Sequence, residues 1–138
     1  LNLNVGGIML NAYNLPAKSL SETDSRDKAL QIIRDFTESV RGMHRDGNNL
    51  LFAADFESYR FSSIRFPLVP PPSAMTITAN NSTKVAYDVG NDAGKQLKSV
   101  GVNMLLGPVF DKDVNTQGVR NTTLRNRSFG GSEKIISI

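Results

Sequence analysis

The chain has 138 residues; its composition, 39% hydrophobic and 21% charged, is typical of one globular domain, and the absence of cysteine excludes disulfides and thiolate chemistry. The net charge of +3 is spread along the chain, and the densest basic cluster, Arg120, Arg125 and Arg127, has only Phe129 near it, so nucleic acid is not predicted as a partner. No apolar stretch approaches the roughly 18 residues of a membrane span and no signal peptide is visible, so the compartment, cytoplasmic or exported, is left open.

The first predicted elements are a strand and a helix. Residues 5–10 form a short apolar run introduced by two glycines, which is typical of a buried strand. A helix is expected to begin at Thr23 or Asp24 and to end near Gly47. Its buried face is predicted from apolar residues that recur at steps of four and three: Ala29, Ile33, Phe36, Val40 and Met43.

A second buried strand is predicted at residues 50–55, and a long loop with extended character follows at residues 56–75. Prolines at position 67 and at 70–72 exclude regular helix and sheet from this loop. Ser82 is predicted as the N-cap of a second helix that ends at Gly101. The apolar face of this helix comprises Val85 or Ala86, Val89, Ala93, Leu97 and Val100.

A third buried strand is predicted at residues 101–109, where a stretch of mostly apolar residues changes abruptly into a polar loop. The order strand, helix, strand, loop, helix, strand predicts an α/β fold with a parallel sheet, either doubly wound or the wall of a barrel. Ligands of such folds lie beyond the carboxyl ends of the strands. Two strands are followed there by acidic residues, Asp55 and Asp111, which predicts the rim of a binding site.

Two pairs of acidic residues at this rim are candidates for a catalytic role. Asp55 and Glu57 lie two positions apart, so an extended backbone would aim both carboxylates to one side, and Asp111 and Asp113 repeat the spacing. Paired carboxylates are typical of glycoside hydrolysis, with one as acid and one as nucleophile or base. The alternative is that one residue caps a loop and the other is solvated.

Other residues are weaker candidates for a functional role. Arg127 has the planar fork of donors that binds carboxylates or sugar hydroxyls, although a surface arginine is the alternative. His44 lies near a predicted helix end, where a histidine more often complements the helix dipole than acts as a base. No metal site is predicted, because Asp111 and Asp113 have no histidine nearby and the EF-hand spacing is missing.

Five motifs in order resemble the N-terminal barrel domain of glycoside hydrolase family 3, most nearly its bacterial β-N-acetylglucosaminidase (β-hexosaminidase) branch. The segment VGGIML is similar to the first strand, and LLFAADFESYRF resembles the second strand with its Asp-x-Glu-Gly-Gly-Arg-Val motif. FPLVPPPSAM is similar to the proline-containing segment that follows. KQLKSVGVNMLLGPVFD resembles the third strand with its Ala-Pro-Val-aliphatic-Asp ending, and RNRSFGG resembles the Arg-Ser-Phe-Gly loop. The resemblance spans residues 1–138 as one domain.

This resemblance implies a (β/α)8 barrel and retaining hydrolysis of terminal β-linked sugars through a covalent glycosyl-enzyme, with no metal or organic cofactor. Asp55 and Arg127 match residues that contact the sugar, and Asp111 matches a residue at the pocket rim. Ser58 and Tyr59 stand where the family has two glycines, and Gly131 and Ser132 where it has an acidic residue and then Asp-Pro.

The family's nucleophilic aspartate, its acid/base loop and its Lys-His pair lie further along the chain than residue 138, so no catalytic residue is expected here. Three strands also fall short of the eight in a barrel. We therefore expect an N-terminal fragment, inactive alone, with a terminal β-N-acetylglucosamine as substrate and the missing C-terminal half of the barrel as partner. A non-catalytic glycan-binding or partner-dependent remnant, and an unrelated doubly wound binding domain, are the alternatives.

Overall fold

The computed structural model describes residues 5–11, 13–15, 25–44, 49–113 and 124–132. The elements in chain order are β1 (Gly7–Met9), α1 (Arg26–Met43), β2 (Leu51–Ala54), a 3-10 turn (Tyr59–Phe61), α2 (Ala74–Ala79), α3 (Thr83–Ser99) and β3 (Met104–Leu105). The predicted alternation of strands and helices is therefore confirmed, and the fold class is α/β.

The three strands form one parallel sheet in the order β1-β2-β3. Gly7 is paired with Leu51, and Ala53 with Met104. Asn103 extends the pairing before β3 begins, because its side chain accepts from the Phe52 N–H at 2.8 Å and donates to the Leu50 carbonyl at 3.1 Å. All three strands thus direct their carboxyl ends to one edge of the sheet.

The two long helices cover one face of this sheet. Helix α1 buries Ala29, Ile33 and Thr37, and α3 buries Ala93 and Leu97. The buried core also includes residues of the strands and of the connections between elements, namely Leu10, Leu15, Leu50, Phe52, Ala54, Phe56, Ile64, Leu68, Val100 and Val102. Within the described part of the chain, no helix is both long and apolar enough to cross a membrane.

The predicted buried face of α1 is wrong at its last position. Met43 is 82% exposed, whereas Phe36 and Val40 pack against the core. Met43 is the last residue of the helix, and the buried residues of α1 end at Thr37. The predicted start at residues 23–24 and the predicted stop at residue 47 lie outside the described residues.

Both ends of α3 agree with the sequence prediction. Ser82 is the N-cap, and its hydroxyl accepts from the Val85 N–H at 3.3 Å. At the other end the Gly101 N–H donates to the Lys98 carbonyl and the Val102 N–H to the Leu97 carbonyl, both at 3.1 Å. This is a Schellman motif, and Gly101 adopts the positive φ of 85° that it requires.

The loop between β2 and α3 contains structure that the sequence prediction missed. Ser73 caps the short helix α2, and its side chain accepts from the Thr76 N–H. Before it, the extended backbone at Val69 exchanges two hydrogen bonds with the Gln96 side chain on α3, at 2.7 and 3.1 Å. The prolines exclude a sheet ladder here, so a side-chain amide supplies the pairing instead.

The prediction that the strands are buried on both faces is wrong for this chain. Phe52 and Ala54 point toward the helices and are fully buried, whereas Leu51 is 44% exposed. Met9 and Met104, which lie on the same face as Leu51, are each 41% exposed. One face of the sheet is therefore packed and the other is open, although its side chains are apolar.

Gly101 provides a test of how α3 is joined to α1. A Cβ on Gly101 would lie 2.6 Å from the Thr37 hydroxyl oxygen, which itself donates to the Arg34 carbonyl at 2.9 Å. We expect Gly101→Ala to lower the free energy of unfolding by about 2 kcal/mol or more, from the clash and the positive φ together. Urea denaturation of the intact protein measures this change.

The matched control is Gly94→Ala in α3, where a Cβ meets nothing within 4 Å. This change is expected to raise the free energy of unfolding by about 0.5–1 kcal/mol, because alanine is the better helix former. Equal effects at the two glycines would contradict the packing described here.

Candidate functional site

Polar side chains converge at the edge of the sheet where the parallel strands end. Asp55 and Glu57 follow β2, and the 3-10 turn then reverses the chain so that Phe56 forms a bridge with Ser62. The Glu57 N–H donates to the Phe61 carbonyl at 3.2 Å, which closes this turn. The turn and the loop that contains Arg127 together enclose a polar pocket of about 270 Å³. Its lining residues are Asp55, Glu57, Arg60, Phe61, Ser62, Ser63 and Arg127.

Asp55 is held in this pocket by Ser63. The Ser63 hydroxyl donates to Oδ2 of Asp55 at 3.2 Å, and the Ser63 N–H donates to the Asp55 carbonyl at 2.9 Å. Asp55 is half-buried, so its carboxylate still faces the pocket. A carboxylate with one bound hydroxyl can accept further hydrogen bonds from the hydroxyls of a ligand.

Arg127 is fixed by Glu57. Its Nε donates to Oε2 and its Nη2 donates to Oε1, both at 2.7 Å, which is the bidentate geometry of a strong charge-assisted pair. The guanidinium carbon lies 4.9 Å from the centre of the Phe61 ring. The Glu57 side chain is 10% exposed and that of Arg127 is 28% exposed, so the pair is largely removed from solvent.

The surrounding charges favour the ionised form of Arg127. The hydrogen bonds that Arg127 donates to Glu57 raise the pKa of the guanidinium above its ordinary value, burial opposes this, and the charges of Glu57, Asp55 and Asp111 add to the increase. All three carboxylates therefore act on one cation, and Arg127 is the positive centre of the site.

Asp111 lies beside the pocket and does not line it. It is exposed, and its backbone carbonyl accepts from the buried Ser128 hydroxyl at 2.8 Å. Its neighbour Asp113 donates from the backbone N–H to the Gly130 carbonyl at 3.2 Å. These contacts join the segment after β3 to the loop that contains Arg127. Asp111 and Asp113 therefore hold this loop in position through their backbone atoms.

The carboxylates of Asp55 and Glu57 do not act as a matched pair here. Both oxygens of Glu57 accept from Arg127, whereas Asp55 accepts from a serine hydroxyl. Glu57 therefore serves as the partner of an arginine. His44, the remaining candidate, directly follows the end of α1, at the opposite end of the sheet from the pocket, because the chain next enters β2.

The two residues that stand where family 3 has glycines lie away from the pocket. Ser58 is 8% exposed, and its carbonyl accepts from the Ser62 hydroxyl at 2.7 Å. Tyr59 is 65% exposed, and the guanidinium carbon of Arg65 lies 5.1 Å from its ring centre. Neither side chain lines the polar pocket, so neither occupies the volume next to Asp55.

The sequence reasoning missed the roles of Glu57, Phe61 and Ser63. Glu57 and Arg127 are 70 positions apart, and no spacing rule connects them. The contact between Asp55 and Ser63 depends on a reversal of the chain at the 3-10 turn. The sequence predicted a loop of extended character there and no such reversal. In the described ranges, no three histidine, cysteine, aspartate or glutamate side chains are grouped so that they could hold a metal ion.

The chain matches a known protein family. The model of the glycosyl hydrolase family 3 N-terminal domain matches residues 1–138. No sequence among the curated proteins matches the chain.

Solved structures share the fold at low sequence identity. A glycoside hydrolase family 3 β-N-acetylglucosaminidase from Paenibacillus sp. has a TM-score of 0.77 at 23% identity, covering 97% of this chain and 23% of that protein. NagZ from Neisseria gonorrhoeae, in complex with N-trifluoroacetyl-D-glucosamine, has a TM-score of 0.73 at 18% identity, covering 96% and 35%. A family 3 member from Mycobacterium smegmatis has a TM-score of 0.69 at 24% identity, covering 97% and 36%. The chain thus spans about a quarter to a third of the length of these proteins.

The pair of Glu57 and Arg127 should stabilise the fold as well as order the pocket. Glu57→Gln is expected to lower the free energy of unfolding by about 1–2 kcal/mol, because it leaves a partly buried guanidinium without its closest counter-charge. Chemical denaturation of the intact protein measures the difference.

An exposed ion pair supplies the matched control. Lys84 and Asp88 form a salt bridge on α3 with side chains 80% and 54% exposed. Asp88→Asn should change the stability by no more than about 0.5 kcal/mol. If both substitutions had the same effect, the pair at the pocket would contribute no more than a surface contact.

Proposed function

This chain belongs to glycosyl hydrolase family 3, and from that premise we propose that it is the N-terminal portion of a retaining β-N-acetylhexosaminidase. Its substrate class is a terminal β-linked N-acetylglucosamine, and its fold is the first part, about three βα units, of a (β/α)8 barrel. The observation that carries the proposal is the convergence of Asp55 and Arg127 on one polar pocket at the carboxyl ends of the strands. Active sites of barrel enzymes lie at this edge.

In this proposal the residues of the chain bind the sugar, and residues in the rest of the barrel cleave the glycosidic bond. Asp55 accepts hydrogen bonds from sugar hydroxyls, with its carboxylate oriented by Ser63. Arg127 donates from the guanidinium edge that Glu57 does not occupy. Asp111 contributes negative charge beside the pocket. No cofactor is required, because the reaction proceeds by acid-base and covalent catalysis.

Retaining hydrolysis needs two further carboxyl or acid/base groups. A nucleophilic aspartate attacks the anomeric carbon and displaces the leaving group, which an acid protonates, and water then releases the sugar from the enzyme. We assign neither role within residues 1–138. The nucleophile, the acid/base loop and the Lys-His pair of the family are proposed to lie in the rest of the barrel.

The open face of the sheet supports the proposal that another part of a barrel covers this chain. Met9, Leu51 and Met104 are 41–44% exposed there, and within the described residues β1 and β3 are edge strands. Exposed apolar sheet surfaces with unpaired edges favour association. The proposed partner is the C-terminal half of the barrel, whose strands would pair with these edges.

A second candidate is a non-catalytic glycan-binding or partner-dependent remnant of the family. The observation that favours it is that both oxygens of Glu57 accept from Arg127, so the carboxylates at the pocket are not arranged as an acid and a nucleophile. Such a chain would bind N-acetylglucosamine without turnover. Assays of hydrolysis and of binding on the same preparation therefore distinguish the two functions.

The leading proposal predicts activity in the protein that carries this chain together with a later strand-end aspartate. It should release 4-nitrophenol from 4-nitrophenyl β-N-acetylglucosaminide, and nuclear magnetic resonance should detect the β-anomer as the first product. Asp55→Asn should lower kcat/KM by about tenfold to a hundredfold, because it removes the charge from hydrogen bonds to the sugar. Absence of sugar release from every aryl β-glycoside would refute the enzyme proposal.

A separate prediction concerns the open sheet face. Residues 1–138 alone should bind the dye anilinonaphthalene sulfonate and self-associate, and addition of the remaining barrel segment should suppress both effects. Fluorescence and analytical ultracentrifugation measure them. A compact monomer that binds no dye would contradict the proposed partner and favour an independent binding domain.

A further inference from the structure

We propose that Glu57 determines which ligands Arg127 accepts: by compensating the arginine charge, it makes the pocket selective for neutral sugars over sugar acids. Glu57 is thus a positioning and specificity residue. The inference rests on the proposed function, since it assumes that the polar pocket binds a sugar.

The geometry of the pair defines which donors a ligand can use. A guanidinium carries five N–H donors, and Glu57 takes one on Nε and one on Nη2. Both hydrogens of Nη1 and the second hydrogen of Nη2 are left for a ligand. One hydrogen on each of Nη1 and Nη2 lies on the edge of the guanidinium opposite Nε, so the orientation of this edge depends directly on Glu57.

The acid and the aromatic ring that fix Arg127 come from one turn of the chain. The Glu57 N–H donates to the Phe61 carbonyl at 3.2 Å, so the backbone holds these two residues close together. The carboxylate holds the guanidinium in its plane, and the ring at 4.9 Å limits rotation out of that plane. The free N–H groups therefore have a single direction before a ligand arrives.

The charges in the pocket disfavour an anionic ligand. Four charged side chains line it, with Asp55 and Glu57 balancing Arg60 and Arg127, so its formal charge is zero. A carboxylate that approached Arg127 would meet a cation already bonded through two N–H groups to Glu57, with Asp55 nearby. Neutral acceptors, such as a hydroxyl or an acetamido oxygen, gain the hydrogen bonds without this repulsion.

The test compares two ligands that differ in one charge. They are N-acetylglucosamine and the same sugar oxidised to a carboxylate at C6, and titration calorimetry at pH 7 on the intact protein gives the ratio of their affinities. Wild type is expected to prefer the neutral sugar. In Glu57→Gln the neutral sugar should bind about tenfold more weakly, because the donor edge is no longer fixed, and the preference should shift by about fivefold or more toward the acid.

The ratio separates specificity from structure, since a variant that is only less stable would lose affinity for both ligands equally. Glu57→Asp retains the charge and should keep the wild-type preference even if both affinities fall. Glu38→Gln removes the same charge from an exposed position on α1 and should change nothing. Thermal melting of each variant establishes that it is folded at the temperature of the titration.

The outcomes also separate this inference from the proposed function. If wild type binds neither sugar, the proposed function is wrong. If wild type binds N-acetylglucosamine and a folded Glu57→Gln retains the wild-type ratio, the pocket binds sugar but Glu57 does not determine its selectivity. A wild-type preference for the acid would likewise overturn the inference.

Discussion

The ion pair between Glu57 and Arg127 is the contact on which the candidate site depends. It joins the turn after β2 to a loop 70 residues later, and it orients the cation that Asp55, Glu57 and Asp111 surround. Backbone contacts support the same loop from two sides: Ser128 donates to the Asp111 carbonyl, and the Met75 N–H donates to the Asn126 carbonyl at 3.3 Å. The pocket is therefore built from connections that the sheet brings together at its carboxyl edge.

The packing of the sheet places the pocket at this edge and leaves one apolar face of the sheet uncovered. Helices α1 and α3 bury Phe52 and Ala54 on one face, and Gly101 allows the end of α3 to approach Thr37. The other face has exposed leucine and methionine side chains. Because alternate residues of a strand point to opposite faces, an apolar residue at every position needs cover on both sides, and this chain supplies it on one.

The substitutions at positions 58 and 59 have a different consequence from the one their bulk would indicate. Glycine allows close approach of the backbone to a ligand, so the bulk of serine and tyrosine alone would predict a filled pocket. Ser58 instead is buried outside the polar pocket, and Tyr59 is exposed beside Arg65. The 3-10 turn directs these side chains away from Asp55, so neither reduces the volume of the polar pocket.

The sequence by itself determined the order of the strands and helices, the N-cap at Ser82, the helix stop at Gly101 and the acidic residue at the end of β2, because each of these depends on residues within a few positions of one another. Its ordered motifs also indicated the family and named Asp55 and Arg127. Only the tertiary structure decided that Arg127 is held by Glu57 and Phe61, that Ser63 orients Asp55, that α2 interrupts the long loop and that one sheet face is open. These features are set by contacts between distant segments and by the direction in which turns aim side chains, and neither leaves a periodic signal in the sequence.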